Sequence, residues 1–227
     1  MTQDERRITL IKYILDEQPR YRKIYVPNNE SEQKKLLRSL MNICQPQYIS
    51  ADFLKIQDEY LQTVSAEKGI TDIADLKEIE RNIYLWKSDI TTLKCTAIVN
   101  AVNSGMMGCY CPCHGCIDNA IHTFAGVQLR LECAEVMNKQ GYNEPTGKAK
   151  ITKADNLSCK YILHTVGPII HGTVTKKDER LLASCYLSCL ELAEQNRIDS
   201  IAFCCISTGE FHFPNERAAE IAIQTVR

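Results

Sequence analysis

From about residue 83 onward, short apolar runs with strand character alternate with helical patterns. The strands are predicted at residues 83–86, 96–101, 148–152, 160–166 and 200–206, and the helices at 118–137, 178–195 and 215–226. Such alternation is typical of an α/β fold, because a helix is the usual crossover between neighbouring parallel strands. We therefore predict an α/β domain with a parallel or mixed sheet over residues 77–227.

The first 76 residues show only helical patterns. Apolar residues recur at the spacing of an amphipathic helix in three stretches, centred near Ile11, Leu40 and Leu61. Ser50 precedes the third stretch and is suited to cap it. No residue in this part suggests chemistry, so we predict an N-terminal helical extension that packs against the α/β domain.

The composition argues against several classes of function. The net charge is −1 and lysine and arginine form no dense cluster, so no field favours nucleic acid or an anionic membrane. The apolar runs are too short to span a bilayer, and the acidic N-terminus does not resemble a signal peptide. We therefore expect a cytoplasmic protein without nucleic-acid or membrane partners. The last helical pattern reaches Arg227 without a residue that ends a helix, so we also expect a truncated C-terminus.

Four cysteines and one histidine lie within eight residues, in the segment Cys109–Cys116. Thiolate and imidazole are the ligands that zinc prefers, and the segment forms the loop between a predicted strand and a predicted helix. Spacing alone leaves the ligand set open. Four protein ligands would make a closed structural site, whereas three would leave a position for water or substrate. We interpret the isolated cysteines elsewhere as packing residues in a reducing compartment.

Three predicted loops follow the carboxyl ends of strands, where open α/β sheets bind ligands. They contain Asp89, then Asn103 with Asp118, then the run 207–211. The glycine in the third loop permits close backbone approach, and successive amides there are suited to bind phosphate. Each loop also has a plainer interpretation: Asp89 as a turn residue, Asp118 as a helix N-cap, and the third loop as a simple turn. Phe211 either stacks on a ligand ring or packs on the core.

Several motifs, in order along the chain, resemble the macrodomain family of ADP-ribose-binding modules. These motifs are Ser88–Thr91, Ala97–Ser104, Asp118–His122, Pro145–Ala149, Tyr161–Pro168 and Ile206–Gly209. Hydrolytic macrodomains carry a run of glycines where this chain has its cysteines. In that respect Gly108–Tyr110, Pro112–Cys116 and the helical extension resemble the zinc-dependent branch of the family. The resemblance implies a three-layer α/β/α macrodomain with a mixed central sheet, preceded by the extension.

The resemblance also selects metal ligands within the cysteine-rich segment. It implies that Cys109, His114 and Cys116 hold Zn²⁺ at an open site. Cys111 and Cys113 then remain as candidates for an additional ligand or for redox-sensitive thiols. A closed structural zinc site stays the alternative.

The same resemblance implies a binding mode for ADP-ribose. Asp89 and Ile90 would bind the adenine, and Asn103 would fix the distal ribose. Asp118 matches a carboxylate that orients water or ribose, so Asn103 and Asp118 are the expected catalytic residues. The diphosphate would lie on the backbone amides of the first part of the Asn103 loop and of the third loop, which is formed by Ser207, Thr208, Gly209, Glu210 and Phe211.

The resemblance implies a zinc-dependent hydrolase that removes mono-ADP-ribose from modified protein side chains. An ester link to Asp or Glu is the expected substrate bond, because acyl chemistry suits an activated water. The partners would be ADP-ribose and a modified protein, and the family's frequent association with lipoylation and sirtuins points to a lipoyl-carrier protein. The alternatives are a reader module that binds ADP-ribose without cleaving it and a redox sensor.

Overall fold

A computed structural model describes residues 1–227, and three helices come first. Their bounds are α1 Gln3–Glu17, α2 Glu30–Ile43 and α3 Ala51–Lys68. Each begins after a side chain that accepts a hydrogen bond from the first turn, and in α3 this cap is the predicted Ser50. The apolar stripes of the three helices face one another around a core that includes Leu10, Ile11, Leu37, Leu40 and Leu61. The predicted helical N-terminal part is thus confirmed.

Strands and helices alternate through the rest of the chain. The elements are β1 Thr71–Asp72, β2 Glu78–Glu80, β3 Ile83–Tyr84, β4 Leu93–Lys94, β5 Ala97–Val102, α4 Ile117–Ala125, α5 Val127–Gln140, β6 Ala149–Lys153, β7 Tyr161–Val166, α6 Lys176–Gln195, β8 Ile201–Ala202 and α7 Asn215–Val226. The central sheet has the order β6-β7-β5-β8, with β5 parallel to β7 and β8, and β6 antiparallel to β7. The predicted α/β fold with a mixed sheet is confirmed.

Alternate residues of β5 point to opposite faces of the sheet, and both faces are covered. Ala97 and Val99 pack against a layer formed by α6 and α7. Ile98 packs against a layer formed by α4 and α5. The domain therefore has the three layers expected, and none of its helices combines the length and apolar character needed to cross a membrane.

The structure differs from the predicted elements at three places. The predicted helix at 118–137 is divided into α4 and α5, because Gly126 lies between them with φ +105°. The predicted strand at 200–206 keeps only the two residues of β8, which pair with the start of β5. The predicted strand at 83–86 keeps only β3, which pairs with β2 outside the central sheet, and Leu85 is 79% exposed.

Candidate active site

The side chains of Cys109, His114 and Cys116 meet in the loop between β5 and α4. Their ligand atoms all lie within 4.8 Å of one another, and each residue is half-buried. The structure thus brings together the three ligands that the resemblance selects. Cys111 is exposed and outside this group. Cys113 also lies outside the group, since its Sγ is directed towards α2.

The chemistry of this group fits a zinc ion. Nδ1 of His114 is buried without a hydrogen-bond partner, while Nε2 lies 3.5 Å from Oε1 of Glu210. An imidazole that ligates through one nitrogen and meets a carboxylate through the other is common in metal sites. Burial raises the pKa of the Cys116 thiol to about 11, and the adjacent Cys109 thiol adds to the shift, so a cation bound there would have to displace the thiol proton. Two sulfur donors and one nitrogen are one ligand short of a closed zinc site.

Asp118 lies buried in the first turn of α4, four per cent exposed. The interpretation of Asp118 as the helix N-cap is wrong, because Sγ of Cys116 accepts the capping hydrogen bond from the Asn119 amide. Nδ2 of Asn100 instead donates to Oδ1 of Asp118 over 2.9 Å and fixes the carboxylate. Burial raises the pKa of Asp118 to about 6, while the hydrogen bond from Asn100 lowers it.

Asn103 lies just past the end of β5 and is exposed. Its Oδ1 accepts a hydrogen bond from the Gly105 amide over 3.0 Å, which leaves its side-chain nitrogen to donate to a ligand. Asn103 begins the loop that carries Cys109, His114 and Cys116, and Asp118 follows that loop. The two expected catalytic residues thus flank the cysteine-rich segment.

Asp89 caps the one-turn helix that starts at Ile90, so its interpretation as a turn residue is correct. Oδ1 accepts hydrogen bonds from the amide and hydroxyl of Thr91 over 3.0 and 2.6 Å. Oδ2 lies 3.0 Å from Nζ of Lys68, the last residue of α3. Burial raises the pKa of Asp89, but the bonds from Thr91 and Lys68 outweigh it and hold the pKa below its ordinary value. A polar cavity of about 440 Å³ adjoins this carboxylate.

The third loop follows β8 and turns sharply at Ser207, which has φ +64° and is buried. The loop closes on itself through hydrogen bonds from the Phe213 amide to the Ser207 carbonyl and from the His212 amide to the Gly209 carbonyl. Phe211 is half-buried, and it is Phe213 that enters the core. Within this loop, Gly209 and Glu210 are exposed, and Thr208 is half-buried.

The sequence patterns did not indicate several residues whose hydrogen bonds fix the side chains and loops of the candidate site. Asn100 had a signal, since it is a polar residue inside the otherwise apolar run of β5. Lys68 and Arg38 had none, because they lie in the helical extension, where the pattern indicates only packing. Asn119 stands beside Asp118 without any feature that marks it.

A family model and curated relatives match the chain. The model of the Macro domain matches residues 99–222. A protein-ADP-ribose hydrolase of Treponema medium is 61% identical over 230 aligned residues, which cover 100% of this chain and 88% of that protein. A protein-ADP-ribose hydrolase of Staphylococcus aureus (strain COL) is 49% identical over 95% of this chain and 83% of its own length.

Solved structures agree with this match. A macrodomain of Oceanobacillus iheyensis with ADP has a TM-score of 0.56 and 41% identity, covering 61% of this chain and 71% of that one. A Trypanosoma brucei macrodomain in complex with ADP has a TM-score of 0.61 and 31% identity. It covers 85% of this chain and 82% of its own, so the match extends into the N-terminal helices. The chain belongs to the macro domain family.

Proposed function

We propose that this chain is a zinc-dependent hydrolase that removes mono-ADP-ribose from modified protein side chains and releases ADP-ribose. The relatives named protein-ADP-ribose hydrolase support the reaction class. The observation that carries the zinc is the meeting of Cys109, His114 and Cys116 within 4.8 Å, in the loop between Asn103 and Asp118. Three protein ligands leave a zinc position open to water or substrate, and the polar side chains of Asn103 and Asp118 flank the same loop; a catalytic metal centre has this arrangement.

ADP-ribose lies across the three loops in this proposal. Asp89 accepts a hydrogen bond from the adenine amino group, with the backbone of Ile90 beside it. The amides of the third loop, residues 207–211, and of the first part of the Asn103 loop hold the diphosphate. The side-chain nitrogen of Asn103 donates to the distal ribose, which brings the sugar to the end of β5.

Hydrolysis then takes place at the distal ribose. A bound Zn²⁺ supplies Lewis-acid polarisation and lowers the pKa of a nearby water. Asp118, fixed by Asn100, orients water or the ribose by accepting a hydrogen bond. Water adds to the acyl carbon of an Asp or Glu ester, the bond from that carbon to the ribose oxygen breaks, and that oxygen takes a proton. The products are free ADP-ribose and an unmodified carboxyl side chain.

The identity of the protein substrate is the most specific part of the proposal. We extend it to a lipoyl-carrier protein in a sirtuin-linked system of the cytoplasm, on the family resemblance alone. A pull-down of ADP-ribosylated lipoyl-carrier protein by Asp118→Asn, with unmodified carrier as the control, tests this part separately.

Release of ADP-ribose from a protein modified on carboxyl side chains tests the reaction. The zinc-loaded chain is compared with chelator-treated protein and with His114→Ala and Cys116→Ser. Cys111→Ser is the matched control, because this exposed thiol lies in the same loop outside the ligand group. We expect release to be lost with the metal or with either ligand, and to survive in the control.

Two outcomes would contradict the proposal. If the zinc-loaded chain binds ADP-ribose but releases none from modified protein, it is a reader. If stripped protein keeps its rate, zinc takes no part in the chemistry. Circular dichroism of each variant separates the loss of a catalytic metal from the loss of the fold, which would indicate a structural zinc.

A further inference from the structure

One face of α2, in the N-terminal helical part, lies directly against the cysteine-rich loop. Oδ1 of Asn42 accepts a hydrogen bond from the Cys113 amide over 2.9 Å, and Nδ2 of Asn42 donates to Thr123 of α4. Oγ of Ser39 lies 3.2 Å from Sγ of Cys113. Cys113 has φ +53°, a conformation that costs a non-glycine residue about 1–2 kcal/mol unless its surroundings hold it. The contacts with α2 hold Cys113 as an anchor of the loop.

The third residue of this face, Arg38, touches the backbone of a metal ligand. Its terminal nitrogen donates to the carbonyl oxygen of His114 over 3.0 Å. The same guanidinium donates twice to Oδ1 of Asn119, over 3.2 and 2.8 Å. Arg38 forms no ion pair within 4 Å, so hydrogen-bond geometry rather than charge pairing fixes its place.

Asn119 carries the effect of Arg38 to the two cysteine ligands. It is fully buried, and its backbone amide donates to Sγ of Cys116 over 3.4 Å. Its side-chain nitrogen donates to the carbonyl oxygens of Cys111 and Cys109, over 2.9 and 3.5 Å. A single guanidinium therefore reaches all three ligands, His114 directly and the two cysteines through Asn119.

We infer that Arg38 is a positioning residue for the metal ligands, and that the N-terminal helices thereby form part of the metal site. The inference rests on the proposed zinc centre. Groups that hydrogen-bond to metal ligands set the ligand orientation, and their loss typically lowers metal affinity about 10- to 100-fold. Arg38 lies outside the matched region 99–222, so the matched domain alone lacks this support.

Zinc affinity of the full chain, measured by competition with a chromophoric chelator, tests the inference without relying on hydrolysis. We expect Arg38→Met to weaken zinc binding about 10- to 100-fold. Arg38→Lys keeps the charge but cannot reproduce the fork that bonds two acceptors, so we expect it to weaken binding by about tenfold. Arg6→Met is the matched control, since Arg6 pairs with Glu59 inside the helical part.

The Co²⁺-loaded protein gives a second measurement, because thiolate-to-cobalt absorption reports the geometry of the ligands. We expect Arg38→Lys to shift this absorption while its circular dichroism matches that of the unaltered chain. Should Arg38→Met fail to fold, Arg38→Lys alone decides the question.

The outcomes separate this inference from the proposed function. If the unaltered chain binds no zinc, the zinc centre fails and the inference fails with it. If the chain binds zinc and both Arg38 variants bind it equally tightly with unchanged cobalt absorption, only the inference is overturned. An equal loss in the Arg6 control would also overturn it, because a general loosening of the helices would then explain the effect.

Discussion

Nε2 of His114 lies 3.5 Å from Oε1 of Glu210, and this contact joins the cysteine-rich loop to the loop after β8. The two loops meet because β5 and β8 are parallel neighbours, so their carboxyl ends lie at the same edge of the sheet. The family resemblance assigns Glu210 only to the loop that would bind the diphosphate. In the structure its carboxylate faces His114 of the cysteine-rich loop.

Replacement of Glu210 tests this contact. A carboxylate beside a ligating histidine fixes its ring orientation and raises its basicity. We expect Glu210→Ala to weaken zinc binding about tenfold and Glu210→Gln less, since the amide oxygen still accepts a hydrogen bond. Glu216→Gln, at an exposed position in the first turn of α7, is the control. Unchanged zinc affinity in Glu210→Ala would show that the contact does not support His114.

Asp118 is expected to act in the reaction without holding the metal. Asp118→Asn keeps the size of the side chain but removes the charge that orients water or ribose. We expect kcat for release of ADP-ribose to fall about 100-fold, the usual range for loss of a positioned carboxylate. Zinc affinity measured on the same protein should stay unchanged, and Asp199→Asn, an exposed position, should keep full activity. A rate within about twofold of the unaltered chain would exclude Asp118 from the chemistry.

In the proposed binding mode, Lys68 competes with the adenine for Asp89. Its ammonium lies 3.0 Å from Oδ2 of Asp89 and 3.3 Å from the ring centre of Phe124. We expect Lys68→Met to free this oxygen and tighten binding of ADP-ribose about two- to fivefold, the scale of a partly exposed ion pair. Titration calorimetry with AMP should show the same ratio of dissociation constants between the unaltered chain and Lys68→Met, because AMP contains the adenine that Asp89 would bind.

Lys94→Met is the matched control for Lys68, since Lys94 pairs with Asp72 on the exposed surface. Weaker binding in Lys68→Met would indicate instead that the ammonium itself contacts the ligand. Equal affinities for the variant and the unaltered chain would place the adenine away from Asp89.

The strands and helices could be predicted from the sequence because their signals are local. The apolar run of β5 and the capped pattern of α3 each fall within one stretch of chain. The supports of the site are not local: Arg38 and Asn119 are 81 residues apart, and Lys68 and Asp89 are 21 apart. Sequence periodicity does not predict such pairs, because each depends on how the helical extension packs against the α/β domain.

The choice among the cysteines of the proposed zinc site likewise depends on contacts that are distant in the sequence. Spacing could not separate Cys113 from Cys116, which form a pair of thiols three residues apart. The fold separates them, because α2 binds the amide and thiol of Cys113 while Cys116 caps α4. The choice among the cysteines is therefore made by packing between distant elements.

Two glycines of the cysteine-rich loop between β5 and α4 offer a matched pair of substitutions. Gly108 has φ +78°, and a Cβ at this position would lie 2.9 Å from the buried ring of His122. Gly115 has no atom within 4 Å of such a Cβ. We expect Gly108→Ala to lower the free energy of unfolding by about 1–3 kcal/mol and to weaken zinc binding, because left-handed backbone strain and the contact add. Gly115→Ala should change neither quantity beyond about 0.5 kcal/mol.

Thermal unfolding and zinc titration of the two glycine variants check this expectation. Equal effects at both positions would mean that the loop relaxes around Gly108 without strain. A large effect at Gly115 alone would mean that the loop has another conformation.

His164 makes the fold sensitive to acid. It is fully buried in β7, where Nδ1 accepts a hydrogen bond from Nδ2 of Asn100 over 3.3 Å. Nε2 donates to Oγ1 of Thr152 over 2.9 Å, because that hydroxyl gives its own proton to the Lys153 carbonyl. Both nitrogens are thus engaged in the neutral form, and burial lowers the pKa of His164 to about 3.

The sign of the pH dependence follows from this lowered pKa. In the unfolded chain His164 takes up a proton below its ordinary pKa of 6.5, whereas the folded chain resists it until about 3. Stability is therefore complete above 6.5 and falls as the pH drops, by about 1.4 kcal/mol per unit. Burial also lowers the pKa of His122, so this residue likewise reduces the free energy of unfolding as the pH falls. The raised pKa of Asp118 has the opposite effect, because the folded chain binds that proton more tightly than the unfolded chain.

Urea unfolding of His164→Gln at several pH values isolates the contribution of this residue. Glutamine costs some stability at neutral pH, so the slope with pH is the quantity to compare. Between pH 6.5 and 4.5 we expect the variant to lose about 2–3 kcal/mol less than the unaltered chain, because one buried group no longer takes up a proton on unfolding. His171→Gln, at an exposed position, should keep the original slope. If His164→Gln keeps it too, His164 takes up its proton equally in the folded and the unfolded chain, and the neutral ring with these two hydrogen bonds is not the form present below pH 6.5.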